Sequence, residues 1–420
     1  MSMHLTRRGL LAGAGAATLL PSPSLLAAGK GPGGFSPKRL QTVTSTMQGF
    51  VDRGELGGVV TLLWRKGEVA QVNALGWRDP VAKVPMARNS IFRIASMTKP
   101  VTAVAALLLV EEGKFKLTDP IDRWLPELAN RKVLRDPGDP LDSAIPCPQP
   151  IRVEDLFTHR SGVVTPRTKK GPLLDALLHA DTDNKGGWGI WLERIGALPL
   201  AYVPGTMYNY GNSIDLLGML VERASGQNYV EFMRQRLFRP LGMNDTDHYV
   251  PAEKLARFAR LQELGRVPAS TIPPETELPP FISAAAGLFS TVDDYLKFAR
   301  LLLGGGEVDG VRLLKAATVA DMLTDRLTPE QRKGGFVPGE AGHWESTGFG
   351  LAVAIKDRQE PKSPELGIAR PGSFTWPGVF GTWWEADPKE QMIQVYMVPG
   401  RKSEAPRWAF QEAAYAAIES

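Results

Sequence analysis

Ser96 and Lys99 stand three residues apart in Ile94-Ala95-Ser96-Met97-Thr98-Lys99-Pro100, and the apolar run 101–110 follows and closes at Gly113. A small polar residue, a proline in the first turn and a terminating glycine are the start and stop signals of a buried helix, with Ser96 opening it. Residues three apart share a helical face, so the Lys99 side chain can reach the Ser96 hydroxyl. A serine hydroxyl is a poor nucleophile until a base takes its proton, and a desolvated lysine can be that base. Ser96 is the only serine in the chain with a lysine at the third following position. Ordinary composition yields about one such pair by chance in a chain of this length, usually an N-capping serine beside a surface lysine.

Two further patches give the pair company. Tyr208-Asn209-Tyr210-Gly211-Asn212 is polar and turn-rich and enters a helix at Ser213. A positive charge beside a phenol favours its ionised form, so a tyrosine placed near Lys99 is a second proton carrier. In Trp376-Pro377-Gly378-Val379-Phe380-Gly381, the glycines admit close approach of backbone or ligand, and the proline confines its strand to a sheet edge with free N–H groups.

The elements that must position these residues follow from periodicity. Helical spacing marks 38–53, and β-rich runs at 59–64 and 69–75 form a hairpin around Arg65-Lys66-Gly67-Glu68. Helices are expected at 101–112, 213–225, 229–238 and 292–303. Strand character returns at 349–355, 373–376, 380–385 and 392–398, before a final amphipathic helix over 407–418. Strands at both ends with helices between suggest one antiparallel sheet built from both termini, flanked by helices and carrying a helical insertion. Long Pro/Gly/Asp segments at 135–150, 163–190 and 265–283 read as loops that are disordered or line a site.

Bulk properties exclude several classes. The 420 residues carry a net charge of only +4 with no long single-sign block, which argues against nucleic acid as a partner. Cys147 is the single cysteine, so an intramolecular disulfide and cysteine metal clusters are excluded. The five histidines are scattered, and no metal or organic cofactor is expected. Arg7-Arg8 before a weakly apolar run and small residues near Ala27-Ala28 read as a twin-arginine signal over 1–28, too short to span a bilayer. The mature chain is then periplasmic or secreted, without stable membrane insertion, and 29–37 is a Gly/Pro linker.

The order Ser-x-x-Lys, then Tyr-x-Asn, then an aromatic-x-Gly strand near the C-terminus resembles the serine β-lactamase and penicillin-recognising superfamily, in its class C-like branch and closest to the family VIII carboxylesterases. Supporting stretches are 92–100, Asp155-Leu156-Phe157-Thr158-His159-Arg160-Ser161-Gly162, Tyr210-Gly211-Asn212-Ser213, Pro240-Leu241-Gly242-Met243 and Ala286-Gly287-Leu288-Phe289-Ser290-Thr291. The resemblance implies an α+β fold, a three-layer α/β/α sandwich with an antiparallel sheet plus an all-helical region. A sheet region over 29–95 and 301–420 would flank a helical region over 96–300, with the site in the cleft between them.

It implies Ser96 as acyl-accepting nucleophile, Lys99 as its base and Tyr210 as the family tyrosine, with Tyr208 structural. Asn212 matches the amide that holds substrate and Lys99. Trp376 and Gly378 stand where lactamases of this branch have Lys-Thr-Gly, and the Val379 N–H remains to join that of Ser96 in an oxyanion hole. The missing ammonium favours esters over lactam antibiotics. The expected activity is a serine hydrolase cleaving small-molecule carboxylic esters through a Ser-bound acyl-enzyme. The alternatives are a β-lactamase or D-amino-acid peptidase of the same fold, a non-catalytic binding protein, and acyl transfer to an alcohol. Loops 163–190 and 326–346 are expected to set substrate range.

Overall fold

A computed structural model describes residues 31–164, 171–181, 186–262, 272, 274–334, 347–356 and 370–419. The signal segment 1–28 and parts of the segments 163–190, 265–283 and 326–346 lie outside the described residues.

Two β-rich ends pair because each alternates large apolar side chains to both faces. The N-terminal part supplies β1 (Gly58–Arg65), β2 (Glu68–Asp79) and β3 (Val84–Pro85). The C-terminal part supplies β4 (Thr347–Phe349), β5 (Ala354–Lys356), β6 (Phe374–Thr375), β7 (Trp383–Asp387) and β8 (Met392–Met397). They form an eight-stranded antiparallel sheet in the order β4-β5-β6-β7-β8-β1-β2-β3, closed across the chain where Val60 faces Met397 and Leu62 faces Val395.

Among the described residues the α-helices are α1 (Pro37–Asp52), α2 (Thr98–Glu111), α3 (Val153–Phe157), α4 (Pro172–Asp181), α5 (Gly187–Ala197), α6 (Ser213–Ser225), α7 (Tyr229–Met233), α8 (Val292–Leu303), α9 (Ala316–Met322) and α10 (Ala405–Ala416). The period of two along the strands decides which helix covers which face. Val59, Leu63, Trp383 and Tyr396 point to one side and meet Leu40, Val43 and Met47 of α1 with Phe410 and Ala414 of α10. Val60, Leu62, Trp384 and Val395 point to the other, where Tyr295 and Phe298 of α8 bring their rings 5.5 and 6.1 Å from Trp384. Three layers result, and α2, buried along almost its whole length, packs against α6. Each large side chain buried this way contributes about 1.5–3 kcal/mol.

Several expectations change. The 29–37 linker is part of the body over its described residues: Gly33 and Gly34 turn at φ 65° and 72°, Arg65 Nη1 donates to Gly33 O at 2.7 Å, and Phe35 is buried and bridges to Ile418. Over its described residues the segment 163–190 is not a plain loop, since α4 and the start of α5 lie in it; Leu173 and Leu177 are spaced for a helix face, and the glycines around 186–189 disguise the start of α5. The expected strand 349–355 is two strands, β4 and β5, because Ala352 adopts φ 64° and turns the chain. The expected helix 229–238 changes from α7 to a π-helical turn at Arg234–Phe238. Nor is β6 an edge strand: it lies between β5 and β7, and Pro377 is tolerated because it falls beyond the two residues of β6.

Candidate active site

Ser96 occupies a 3-10 turn, Ala95–Met97, that leads into α2, so it precedes the helix instead of opening it. Ala95 holds φ at 45°, a left-handed value that costs a non-glycine residue about 1–2 kcal/mol. Contacts on both sides hold the turn in place. Ile94 N–H donates to Leu288 O at 3.0 Å, Leu288 N–H donates to Thr98 Oγ1 at 3.2 Å, and the buried Tyr295 hydroxyl of α8 donates to Met97 O at 2.9 Å.

Lys99 is 4 % exposed and donates from Nζ to Ser96 Oγ at 3.0 Å and to Ala285 O at 3.0 Å. The Tyr210 hydroxyl is 2.8 Å from Ser96 Oγ, and Lys99 Nζ lies 4.6 Å from the centre of the Tyr210 ring. An amine three residues from Ser96 and a phenol 114 positions away thus meet at the serine oxygen. Tyr208, two residues earlier, is instead buried in an aromatic cluster with Phe349 and Trp376.

The Lys99 contact to Ala285 has its own support. Asp215 Oδ1, in the first turn of α6, accepts from Ser283 Oγ at 2.9 Å and from Ala285 N–H at 3.1 Å. Gly218 is one turn further on, where an added Cβ would fall 2.3 Å from Ala284 Cβ, so only glycine lets this segment seat against α6. Asn212 directly precedes α6 and is half-buried; among the described residues no hydrogen bond joins its side chain to Lys99.

The turn 376–382 closes the other side. Gly378 N–H donates to Thr382 O at 2.7 Å, and Thr382 Oγ1 donates to Ile94 O at 3.2 Å, which docks the turn two residues from Ser96. An added Cβ on Gly378 would lie 2.5 Å from Ile94 O. Among the described residues, neither the Ser96 N–H nor the Val379 N–H donates to another protein group, and both residues are only partly buried. Trp376 is buried behind this turn, its ring 5.6 Å from that of Tyr210. Residues 43–417 match the Beta-lactamase family over nearly the whole described chain. The chain belongs to the β-lactamase family.

Its relatives include an uncharacterized protein of Mycobacterium tuberculosis, 43 % identical over 351 residues covering 83 % of this chain and 86 % of that protein. Esterase EstB of Burkholderia gladioli is 30 % identical over 356 residues, covering 79 % and 83 %. Among solved structures, EstCE1, described as a hydrolase with promiscuous acyltransferase activity, superposes with a TM-score of 0.73 over 90 % of this chain and 98 % of its own at 23 % identity, which supports the fold. Relatives named as esterases and acyltransferases support an enzyme of the hydrolase or acyl-transfer type for this β-lactamase-family member.

Sequence reasoning assigned no role to His159, Asp215, Ala285 or Tyr295, which surround the three reacting side chains. Asp215 had a signal in its place one turn into α6 beside the Tyr-x-Asn patch; Ala285 had none, because it acts through a main-chain carbonyl. His159 is fully buried, and burial, reinforced by the Lys99 charge, holds its imidazole well below the usual histidine pKa. The ring is therefore neutral at working pH, and among the described residues it makes no hydrogen bond to Ser96.

Proposed function

We propose that this protein hydrolyses small-molecule carboxylic esters through an acyl-enzyme on Ser96. The observation that carries the reading is the convergence of Lys99 Nζ and Tyr210 OH on Ser96 Oγ at 3.0 and 2.8 Å. Ser96 Oγ attacks the ester carbonyl as the Lys99–Tyr210 pair takes its proton. The N–H groups of Ser96 and Val379 receive the oxyanion, and such donors are worth about 10²–10³-fold each. Tyr210 returns the proton to the departing alkoxide, the alcohol leaves, and a water activated by the same pair attacks the acyl carbonyl to free the acid and Ser96.

Two features favour esters over lactams. Trp376 and Pro377 stand where a lysine and a threonine would meet the carboxylate of a β-lactam, and the Trp376 ring is packed against Tyr210. The paired Arg7-Arg8 segment favours export by the twin-arginine route and a periplasmic or secreted location. Side-by-side assays with p-nitrophenyl acetate and nitrocefin test the reaction. Ester turnover that disappears in Ser96→Ala is the expected result, whereas lactam turnover without ester turnover overturns the ester preference.

A further inference from the structure

His159 carries an arrangement that the reaction as described leaves unused. Its φ is 53°, a left-handed conformation that histidine tolerates better than most side chains. In that conformation its carbonyl accepts the Asn209 N–H at 2.7 Å, while its ring Nδ1 accepts the Gly211 N–H at 3.3 Å. The two amides that flank Tyr210 are thus both bound by one residue. The imidazole also lies 4.8 Å from the Tyr210 ring, centre to centre, and 5.9 Å from Phe349. An uncharged ring whose Nδ1 accepts must carry its proton on Nε2. Nε2 is buried and, among the described residues, has no partner. A proton on Nδ1 would face the Gly211 N–H and break that contact, so the ring's neutrality and its grip on the tyrosine segment go together.

We propose that His159 is a positioning residue for Tyr210: its carbonyl and Nδ1 hold the N–H groups of the residues before and after the tyrosine, and its ring backs the phenol, so that the hydroxyl is fixed at Ser96 Oγ. The inference rests on the ester-hydrolase reading, in which Tyr210 moves the proton. A displacement of about 1 Å between reacting groups costs on the order of 10²-fold in rate, so loss of this grip reads out in kcat.

The test compares His159→Leu, which fills the space without an acceptor, with His159→Asn, which keeps an acceptor and suits the left-handed φ. Each is made in the wild-type and Tyr210→Phe backgrounds and assayed on a p-nitrophenyl ester, with thermal midpoints measured in parallel. In the wild-type background His159→Leu should lower kcat by about 10–100-fold while KM stays within about 3-fold, and His159→Asn should recover most of the loss. In the Tyr210→Phe background His159→Leu should change kcat by no more than about 3-fold, because the group it positions is already gone. If His159→Leu does not fold, His159→Gly, which accepts φ 53° without strain, takes its place with the same expectation. Unchanged kcat in a folded variant, equal losses in the Leu and Asn variants, or a full further loss on top of Tyr210→Phe overturns the proposal. Ester turnover that survives Ser96→Ala overturns the underlying reading instead, so the two failures are distinguishable.

Discussion

Two clusters of buried polar groups border the same sheet, and they differ in what they leave open. Under α10, Glu385 accepts from Gln411 Nε2 and from the Tyr415 hydroxyl, both at 2.9 Å, and that hydroxyl is also 2.9 Å from Asp387 Oδ2. Burial pushes the Glu385 carboxyl up to about 8, and burial with the neighbouring carboxylates pushes the Tyr415 phenol up as well. One phenol hydrogen cannot serve both carboxylates at once. Both carboxyl groups are fully buried and are bound by these side chains, and no nucleophile stands beside them. Beside α8, Lys99 is equally buried, but Ser96, Tyr210 and Val379 are partly exposed, and the N–H groups of Ser96 and Val379 point at no protein acceptor among the described residues. Both clusters contain a tyrosine and charged or titratable neighbours. What separates a structural lock from a reactive site is the presence of free donors next to a nucleophile, not the residue types.

Substitutions on the two sides should separate cleanly. Ser96→Ala should lower ester turnover by at least about 10⁴-fold with the thermal midpoint nearly unchanged, measured by steady-state kinetics and calorimetry. Lys99→Met and Tyr210→Phe should each lose about 10²–10⁴-fold in kcat, as expected for groups that move the proton, and residual activity near wild type in either would remove that group from the mechanism. Gly378→Ala forces a Cβ to within 2.5 Å of Ile94 O and should cost about 10²–10³-fold by displacing the Val379 donor, with KM changing less than kcat.

Asp215→Leu leaves Ala285 N–H and Ser283 Oγ–H without their acceptor; it should lower stability by about 1–3 kcal/mol in denaturant titrations and slow turnover by loosening the carbonyl that holds Lys99. Glu385→Gln should have the smallest effect, leaving kcat and KM unchanged. Its signature is pH: the raised pKa of Glu385 means that its contribution to stability is fully present below about 4.5 and is lost as pH rises through about 8. The wild-type midpoint should therefore fall over that window more steeply than that of Glu385→Gln. A steeper fall in the variant would show that the carboxyl is ionised in the folded state.

The same contrast explains what could be read from the sequence. Ser96, Lys99 and Tyr210 announce themselves by side-chain chemistry and spacing, and the sheet by its period of two at both ends of the chain. Ala285 and Val379 work through main-chain atoms, which no residue type encodes; Val379 was found only through a resemblance of pattern, and Ala285 was not found. The start of α5 was hidden by glycines around 186–189, although Trp188 fixes that corner by donating from Nε1 to Ile282 O at 2.8 Å. The turn between β4 and β5 was hidden for the opposite reason, because Ala352 takes a left-handed φ that glycine would have signalled. Glu385 and Tyr415, 30 positions apart, meet only because α10 lies across β7, a tertiary fact with no local pattern.

The central claim is that Ser96 carries the acyl group. Brief incubation with a short-chain p-nitrophenyl ester, acid quench and peptide-resolved mass spectrometry measure it directly. The account predicts an added acyl mass on the peptide containing Ser96, absent in Ser96→Ala and longer-lived when water attack is slowed by Tyr210→Phe. An acyl mass on another residue, or ester turnover in Ser96→Ala at the wild-type rate, would contradict it.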